Sequence, residues 1–213
     1  LNKNDFDILK YINNLRNFKW RLKRLGDIFI SFFLLIISSP LIIIFAILIK
    51  IEDKGPIFYS QYRTGLYGKS FKIIKLRSMK ENAEENGPSW AKKKDPRITK
   101  IGSIIRKARI DELPQLLSVI TGDMSLIGPR PERPEIEKNL INEIPFYNYR
   151  NYMKPGLSGW AQVNYPYGAS IEDSKIKFSY DVFYLRNYSL LLDILIIFKT
   201  IKLIINLQGS DPK

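Results

Sequence analysis

Cysteine and histidine are both missing from the 213 residues. Disulfide cross-links, thiolate nucleophiles and imidazole metal sites are thereby excluded. Acid–base chemistry near neutral pH falls to carboxylates, lysine, tyrosine or water. Phosphate-cradling glycine loops are missing too. The richest glycine stretch, Gly65 to Gly68, lacks the Gly-Lys-Ser/Thr ending of a nucleoside-triphosphate loop. There is no dinucleotide fingerprint and no serine nucleophile elbow. An ATPase, a dehydrogenase and a serine hydrolase are therefore unsupported. No internal repeat and no second domain stand out.

What is present is charge, unevenly placed. The formal net charge is +13. Residues 1–110 carry 23 Lys+Arg against 9 Asp+Glu, whereas residues 111–213 carry 11 against 12. The basic half attracts polyanions: nucleic acid, anionic lipid headgroups or phosphorylated ligands. The same half holds the longest apolar run, Ile28 to Ile49, which is 22 residues without a charge. As a helix this run is roughly 33 Å long, about one bilayer core. It is too long for a signal peptide, and no small-residue cleavage site follows it. The apolar segments and the near-neutral second half argue against a nucleic-acid partner.

Two readings of the run compete. Hydropathy alone gives a single spanning helix. Against it, Ser38-Ser39-Pro40 interrupts the run, and both flanks are basic: Lys19 to Arg24 before it, Lys50 and the stretch to residue 110 after it. Proline removes a backbone donor and disfavours helical geometry at the residue before it. Basic flanks belong on the cytoplasmic face. A re-entrant hairpin with arms 25–39 and 41–51 satisfies both observations. Divided this way, the chain has a basic N-terminal segment 1–24, a membrane hairpin 25–51, a cytoplasmic-face domain 52–208 and a tail 209–213. Position 1 is Leu, which leaves open a preceding segment.

Beyond Gly55-Pro56 the pattern predicts a small β-hairpin from Ile57-Phe58-Tyr59 and Phe71 to Leu76 around the two-glycine turn. Residues 81–97, with Gly87-Pro88, Lys92 to Lys94 and Asp95-Pro96, read as a loop. Ile98 to Arg109 is a basic amphipathic segment suited to a membrane surface or to packing on the protein's own core. Leu113 to Thr121 predicts a helix stopped by Gly122. Three prolines fix the loop Gly128 to Pro134. Leu190 to Leu207 predicts an apolar helix whose Asp193 lies on a different face from Lys199 and Lys202. The expected fold class is α+β, with amphipathic interfacial helices.

The candidate chemistry centres on Asp111-Glu112, side by side before a proline-containing helix start. Paired carboxylates can hold one Mg²⁺ while one attacks phosphorus. The plainer reading is a helix cap with a dipole-complementing neighbour. Lys75, Arg77, Arg97, Arg106, Arg109 and Arg130 supply the cations that a diphosphate needs, or a solvated basic surface. Arg130, fixed between Pro129 and Pro131, is the least suited to an idle surface role.

Taken in order, several segments resemble the bacterial sugar transferases, the monotopic phosphoglycosyl transferases that begin exopolysaccharide and O-antigen assembly. They are Lys23-Arg24 with Asp27, the run broken at Ser39-Pro40, Gly55 to Tyr59, and Gln61, Arg63, Gly65, Gly68 and Phe71. Lys75 to Met79, Asp95 to Thr99, Asp111 to Gln115, Gly122 to Pro131, Lys154 to Val163 and Tyr180-Asp181 follow. The likeness covers about residues 20–208. Leu76 stands where the family often has Phe, and Ala108-Arg109 replaces a common Thr-Ser or Leu-Ser pair. The resemblance implies transfer of a sugar-1-phosphate from a nucleotide sugar, with UDP as the expected nucleotide, to polyprenol (undecaprenyl) phosphate. It implies Asp111 as nucleophile, with Glu112 positioning Mg²⁺ or deprotonating the acceptor. Arg130 would neutralise the transferred charge, and Lys75, Asp181 and Asp193 would surround the site. Arg106 would face lipid phosphate or the hairpin break. It further implies the bacterial inner membrane, a cytoplasmic-face domain, membrane lipid as partner, and a homodimer among the allowed assemblies. The rival readings are a non-enzymatic, membrane-anchored basic binding protein and a polytopic transferase of unrelated fold, which needs more spanning helices than the sequence offers.

Overall fold

The computed structural model describes residues 18–85, 95–165, 168 and 170–206. The N-terminal segment up to residue 17, the loop positions Gly87-Pro88 and Lys92 to Lys94, and the tail 209–213 lie outside the described residues. The fold is α+β. Helix α1 (Phe18–Glu52) is followed by strands β1 (Phe58–Thr64) and β2 (Ser70–Leu76) and helix α2 (Lys100–Lys107). A six-residue 3-10 turn, Ile110–Gln115, leads into α3 (Leu116–Thr121) and strand β3 (Ser125–Ile127). Helix α4 (Pro134–Glu143), a 3-10 segment Tyr147–Tyr152, strand β4 (Gly156–Ser158) and helices α5 (Trp160–Asn164), α6 (Ile171–Arg186) and α7 (Leu190–Ile205) complete the order.

Among the described residues α1 is the one helix long and apolar enough to cross a membrane. The helix runs through Pro40 rather than stopping there. Proline at 40 cannot donate to the carbonyl of Ile36, four residues back. The Ser39 hydroxyl donates to that carbonyl instead, at 2.8 Å. The serine before the proline thus replaces the missing backbone donor, and no non-helical residue separates the two expected arms.

Both arms pack on the same domain. Trp20 and Leu35 join the main core of Ile73, Leu116, Val119, Met124, Tyr184, Tyr188 and Ile196. Ile42, Phe45, Ala46 and Ile49 join a second cluster with Leu76 and Ile105. Polar ties reinforce each end. Lys23 Nζ donates to Asp193 Oδ2 at 2.7 Å, and Arg24 donates to the terminal α3 carbonyls of Val119 and Ile120. Asp27 accepts from Ser125 Oγ at 2.7 Å and from the Leu126 amide at 3.3 Å. At the far end, Glu52 caps α2 by accepting from the Lys100 and Ile101 amides at 2.8 and 3.0 Å.

The β-hairpin extends further than its composition suggested, pairing antiparallel from Phe58↔Leu76 to Thr64↔Ser70. Strands β3 and β4 form a short parallel pair, Ser125↔Gly156 and Ile127↔Ser158. The helix expected over Leu113 to Thr121 is split. Pro114 sits inside the tight 3-10 turn, and regular α-geometry begins only at Leu116. Gly122 closes α3 at φ +104°, a left-handed cap that favours glycine. Gly102 lets α2 lie against the end of β2, since a Cβ there would meet the Ser78 carbonyl oxygen at 1.9 Å. Buried Ile105 and exposed Ile104 give α2 an inner and an outer apolar face.

Asp27→Ala tests the polar tie at the start of α1. It leaves the buried Ser125 hydroxyl without its acceptor, so a loss of about 2–3 kcal/mol is expected. In detergent the thermal midpoint should fall by roughly 5–10 °C. An unchanged midpoint would show that the tie does not hold the helix to the domain.

Candidate active site

Asp111 and Glu112 sit in the first turn of the 3-10 segment, and both are buried. They lie within this turn rather than before a regular helix, so the helix-dipole argument from sequence gives way to discrete cations. Arg109, the residue before the turn, holds φ +59°. A left-handed conformation at a non-glycine residue costs on the order of 1 kcal/mol or more and persists only where the surroundings fix it. Here the Glu112 amide donates back to the Arg109 carbonyl at 3.2 Å and closes the turn.

The two carboxylates have opposite environments. Glu112 is gripped by three cations from three segments. Lys75 Nζ on β2 donates to Oε1 at 3.0 Å, Arg130 Nη2 to Oε1 at 2.5 Å, and Arg109 Nη1 stands 3.6 Å from Oε2. Burial alone raises the Glu112 carboxyl, but Arg130, Lys75 and Arg109 outweigh it and hold it well below the usual carboxylate range. Asp111 Oδ1, by contrast, is buried with no hydrogen-bond partner. Burial, then the Glu112 charge, raises Asp111 to about 6, against the pull of Lys75, Arg106 and Arg109. A desolvated carboxylate with an unengaged oxygen, ionised above pH 6, has the properties of a nucleophile.

The dyad lines a cavity of about 330 Å³ between β1–β2, the 3-10 turn and α6. Lys75, Arg77, Arg106, Arg109, Arg130 and Asp181 share its wall. Of these, Arg77 donates to the Asp53 carbonyl at 2.7 Å, joining the hairpin to the end of α1. Arg97 and Asp193 are not among the cavity's lining residues. Arg97 binds Asp95 through two nitrogens, at 2.9 and 2.6 Å, and closes its own turn. Asp193 accepts from Lys23 and, at 2.5 Å, from the Tyr184 hydroxyl. Its role is to seat α1 against α7. Ser39 and Pro40 lie in α1, also outside the cavity lining.

Asp181 is buried against Arg150, whose Nε and Nη2 approach Oδ2 at 3.0 and 2.9 Å. Burial raises the Asp181 carboxyl to about 6, with Arg150 opposing. Arg150 has no counterpart among the expected site residues. It lies in Tyr147-Asn148-Tyr149-Arg150-Asn151-Tyr152, a stretch with no period to flag it. Arg63, Tyr59, Glu84 and Arg133 were likewise unassigned and line the same cavity. On β1 the alternation Tyr59, Gln61, Arg63 turns these three inward, and Tyr59 faces Lys75 across the ladder. Tyr59 donates to Glu84 at 2.8 Å, and Arg133 donates to the same carboxylate.

The model of the family described as bacterial sugar transferase matches residues 18–207. The chain belongs to that family. A UDP-N-acetylgalactosamine-undecaprenyl-phosphate N-acetylgalactosaminephosphotransferase of Aeromonas hydrophila is 47% identical over 189 residues, covering 89% of this chain and 45% of the relative. A putative undecaprenyl-phosphate N-acetylgalactosaminyl 1-phosphate transferase of Bacillus subtilis is 54% identical over 129 residues, 61% of this chain and 72% of the relative. A UDP-glucose:undecaprenyl-phosphate glucose-1-phosphate transferase of Escherichia coli is 37% identical over 182 residues, 84% and 39%. The chain thus spans less than half the length of the Aeromonas and Escherichia relatives.

The raised Asp111 carboxyl has a sign that stability can read. Because folding lifts it from 3.8 to about 6, the folded chain binds more protons between these values. Its contribution is therefore harmless at low pH and turns against the fold as pH rises through that window. Asp111→Asn should stabilise the chelator-treated protein above pH 6, by roughly 1–3 kcal/mol. The gain should shrink as pH falls and vanish near pH 4, as followed by thermal midpoints. Equal stability of the two proteins at pH 7.5 would contradict a raised Asp111.

Proposed function

We propose that the chain transfers a sugar-1-phosphate from a nucleotide diphosphate-sugar, with UDP as nucleotide, to polyprenol phosphate, and that it does so in two displacements. The observation that carries this reading is the buried, unengaged Asp111 oxygen beside a Glu112 saturated by cations. In the first displacement an Asp111 carboxylate oxygen attacks the phosphorus that bears the sugar. The bond from that phosphorus to the bridging oxygen breaks, and the nucleoside monophosphate leaves with the electron pair. In the second, a phosphate oxygen of the polyprenol attacks the same phosphorus and releases the Asp111 carboxylate. Two steps suit one water-soluble and one lipid-embedded substrate that need not meet.

The cations divide the work. Lys75 and Arg130, held by Glu112, face the charge of the phosphoryl group in flight. Arg106 and Arg109 lower the cost of bringing an anion to Asp111. Glu112 has little freedom to act as a base while three cations hold it, so its role is to fix them. The site also suits Mg²⁺. The orphaned Asp111 oxygen offers one hard ligand, and Glu112 adds another only where its cations turn to substrate. Among the described residues no group of three or more carboxylates is placed to hold a metal ion. A magnesium ion here would take its remaining ligands from phosphate and water, as such ions commonly do. When bound, it supplies charge neutralisation to the diphosphate.

Membrane geometry belongs to the same proposal. The reading is a re-entrant α1 that stays helical but bends at Ser39-Pro40 within the leaflet, so that both ends lie at the cytoplasmic face of the inner membrane. Support comes from packing. A straight helix from Lys23 to Glu52 would be about 44 Å long. Yet residues on both sides of Pro40, Leu35 and Ile42, and both ends of α1, touch one domain. The exposed apolar side chains of α1, with Ile104 on α2 and Leu191, Phe198 and Ile205 on α7, offer the lipid-facing surface.

Two experiments test the proposal. Mixed with Mg²⁺ and UDP-N-acetylgalactosamine or UDP-glucose but no lipid acceptor, the protein should release at most one equivalent of UMP. Continuous release should require polyprenol phosphate, and Asp111→Asn should show neither. Absence of UMP with every donor, with or without acceptor, would favour a membrane-anchored binding protein. For topology, the cysteine-free chain allows single substitutions at Arg21 and Lys54. In sealed inverted vesicles a membrane-impermeant maleimide should label both. Labelling of only one would establish a spanning helix.

A further inference from the structure

Arg130 carries its guanidinium to Glu112 from the proline loop Gly128 to Pro134, and four successive carbonyls of that loop each have a donor. The Pro129 carbonyl accepts from the Gly156 amide at 2.8 Å, Arg130 from Arg150 Nη2 at 2.7 Å, Pro131 from Arg63 Nη1 at 3.0 Å, and Glu132 from the Thr64 amide at 2.9 Å. Arg150 thus holds the peptide of the residue whose side chain faces the dyad. Three of its five N–H groups are hydrogen-bonded, and the other two face carboxylates. Nε bonds Asp181, Nη1 bonds the Tyr147 hydroxyl at 3.0 Å and faces Glu132 at 3.7 Å, and Nη2 serves the Arg130 carbonyl and Asp181. A guanidinium has five donors and no acceptor, so although Arg150 borders the cavity its donors are directed at Asp181, Tyr147, Glu132 and the Arg130 carbonyl.

We infer that Arg150, pinned by Asp181, is a positioning residue that sets the Arg130 guanidinium for phosphoryl transfer without itself touching the substrate. The inference rests on the transfer reaction proposed above. Energetics support a role beyond stability. A buried ion pair gains little net stability over an apolar pair of the same volume. What Arg150 supplies that an apolar side chain cannot is a directed donor linking Tyr147, Asp181 on α6 and the proline loop. A displacement of about 1 Å at a charge-stabilising group is enough to cost on the order of 10²-fold in rate.

The test compares Arg150→Lys, Asp181→Asn and the double variant Arg150→Met/Asp181→Leu with the parent. The readings are thermal midpoint, single-turnover UMP release over a range of donor concentrations, and hydrogen exchange at the Arg130, Glu132 and Arg133 amides. Arg150→Lys retains the charge but cannot reach all partners. It should fold, exchange faster in the loop, and lose about 30- to 100-fold in maximal rate, with the donor concentration for half-maximal rate moving less than threefold. In the double variant the apolar pair should restore the midpoint but not the rate. Rate returning together with stability would reduce Arg150 to a structural part and overturn the inference. So would parental exchange and rate in Arg150→Lys, or Asp181→Asn matching the parent in both. If the parent itself releases no UMP, the reaction reading fails, and loop exchange in Arg150→Lys still decides whether Arg150 holds the loop.

Discussion

The carboxylate of Glu112 is where three otherwise independent segments meet: Lys75 from the end of β2, Arg130 from the proline loop, and Arg109 from the left-handed residue before the dyad. In a buried setting such charges are costly to separate, because each would be left unpaired away from water. The convergence fixes the distance between hairpin and loop and sets the cavity's cationic wall. It also explains why adjacent carboxylates differ so sharply. Cations spent on Glu112 are not bonded to Asp111, whose Oδ1 stays without a partner. The strain at Arg109 and the desolvation of Asp111 are both borne by a turn that burying Leu116 and Val119 anchors to the main core.

A second constraint ties the site to the apolar helix. Helix α1 is not an appendage: Lys23 and Asp27 are buried in the domain, and Glu52 caps the amphipathic α2. Arg106, in the last turn of α2, reaches the cavity wall. One chain of contacts therefore runs from the apolar helix through α2 to the dyad. A shift of α1 relative to the domain would be felt at Asp111 within two elements. That coupling suits the lipid-borne acceptor proposed for the site.

Much of this was legible in sequence, for identifiable reasons. The β-hairpin announced itself by β-rich runs around a glycine turn, and the dyad by adjacency before a proline. Arg130 stood out because prolines on either side fix its backbone. What stayed hidden depends on pairing across long separations. Lys23 and Asp193 are partners 170 residues apart, and no local pattern joins them. Asp193 and Arg97 looked like site residues because a charge in a motif does not disclose its partner. Arg150 lies among aromatics with neither helical nor strand periodicity. The β3–β4 pair is three residues a side, too short to give an alternation. At Pro40 the sequence signalled a break, whereas the Ser39 hydroxyl compensates the lost hydrogen bond and the helix carries through.

The division of labour within the dyad is the claim on which the account stands. Its most direct test is to trap the protein with nucleotide sugar in the absence of lipid acceptor, digest it, and locate the phosphosugar by tandem mass spectrometry. The account predicts the modification on the side chain of Asp111, the carboxylate with the free oxygen. A phosphosugar on Glu112 would contradict it, because the carboxylate held by Lys75, Arg130 and Arg109 would then be the one that attacks.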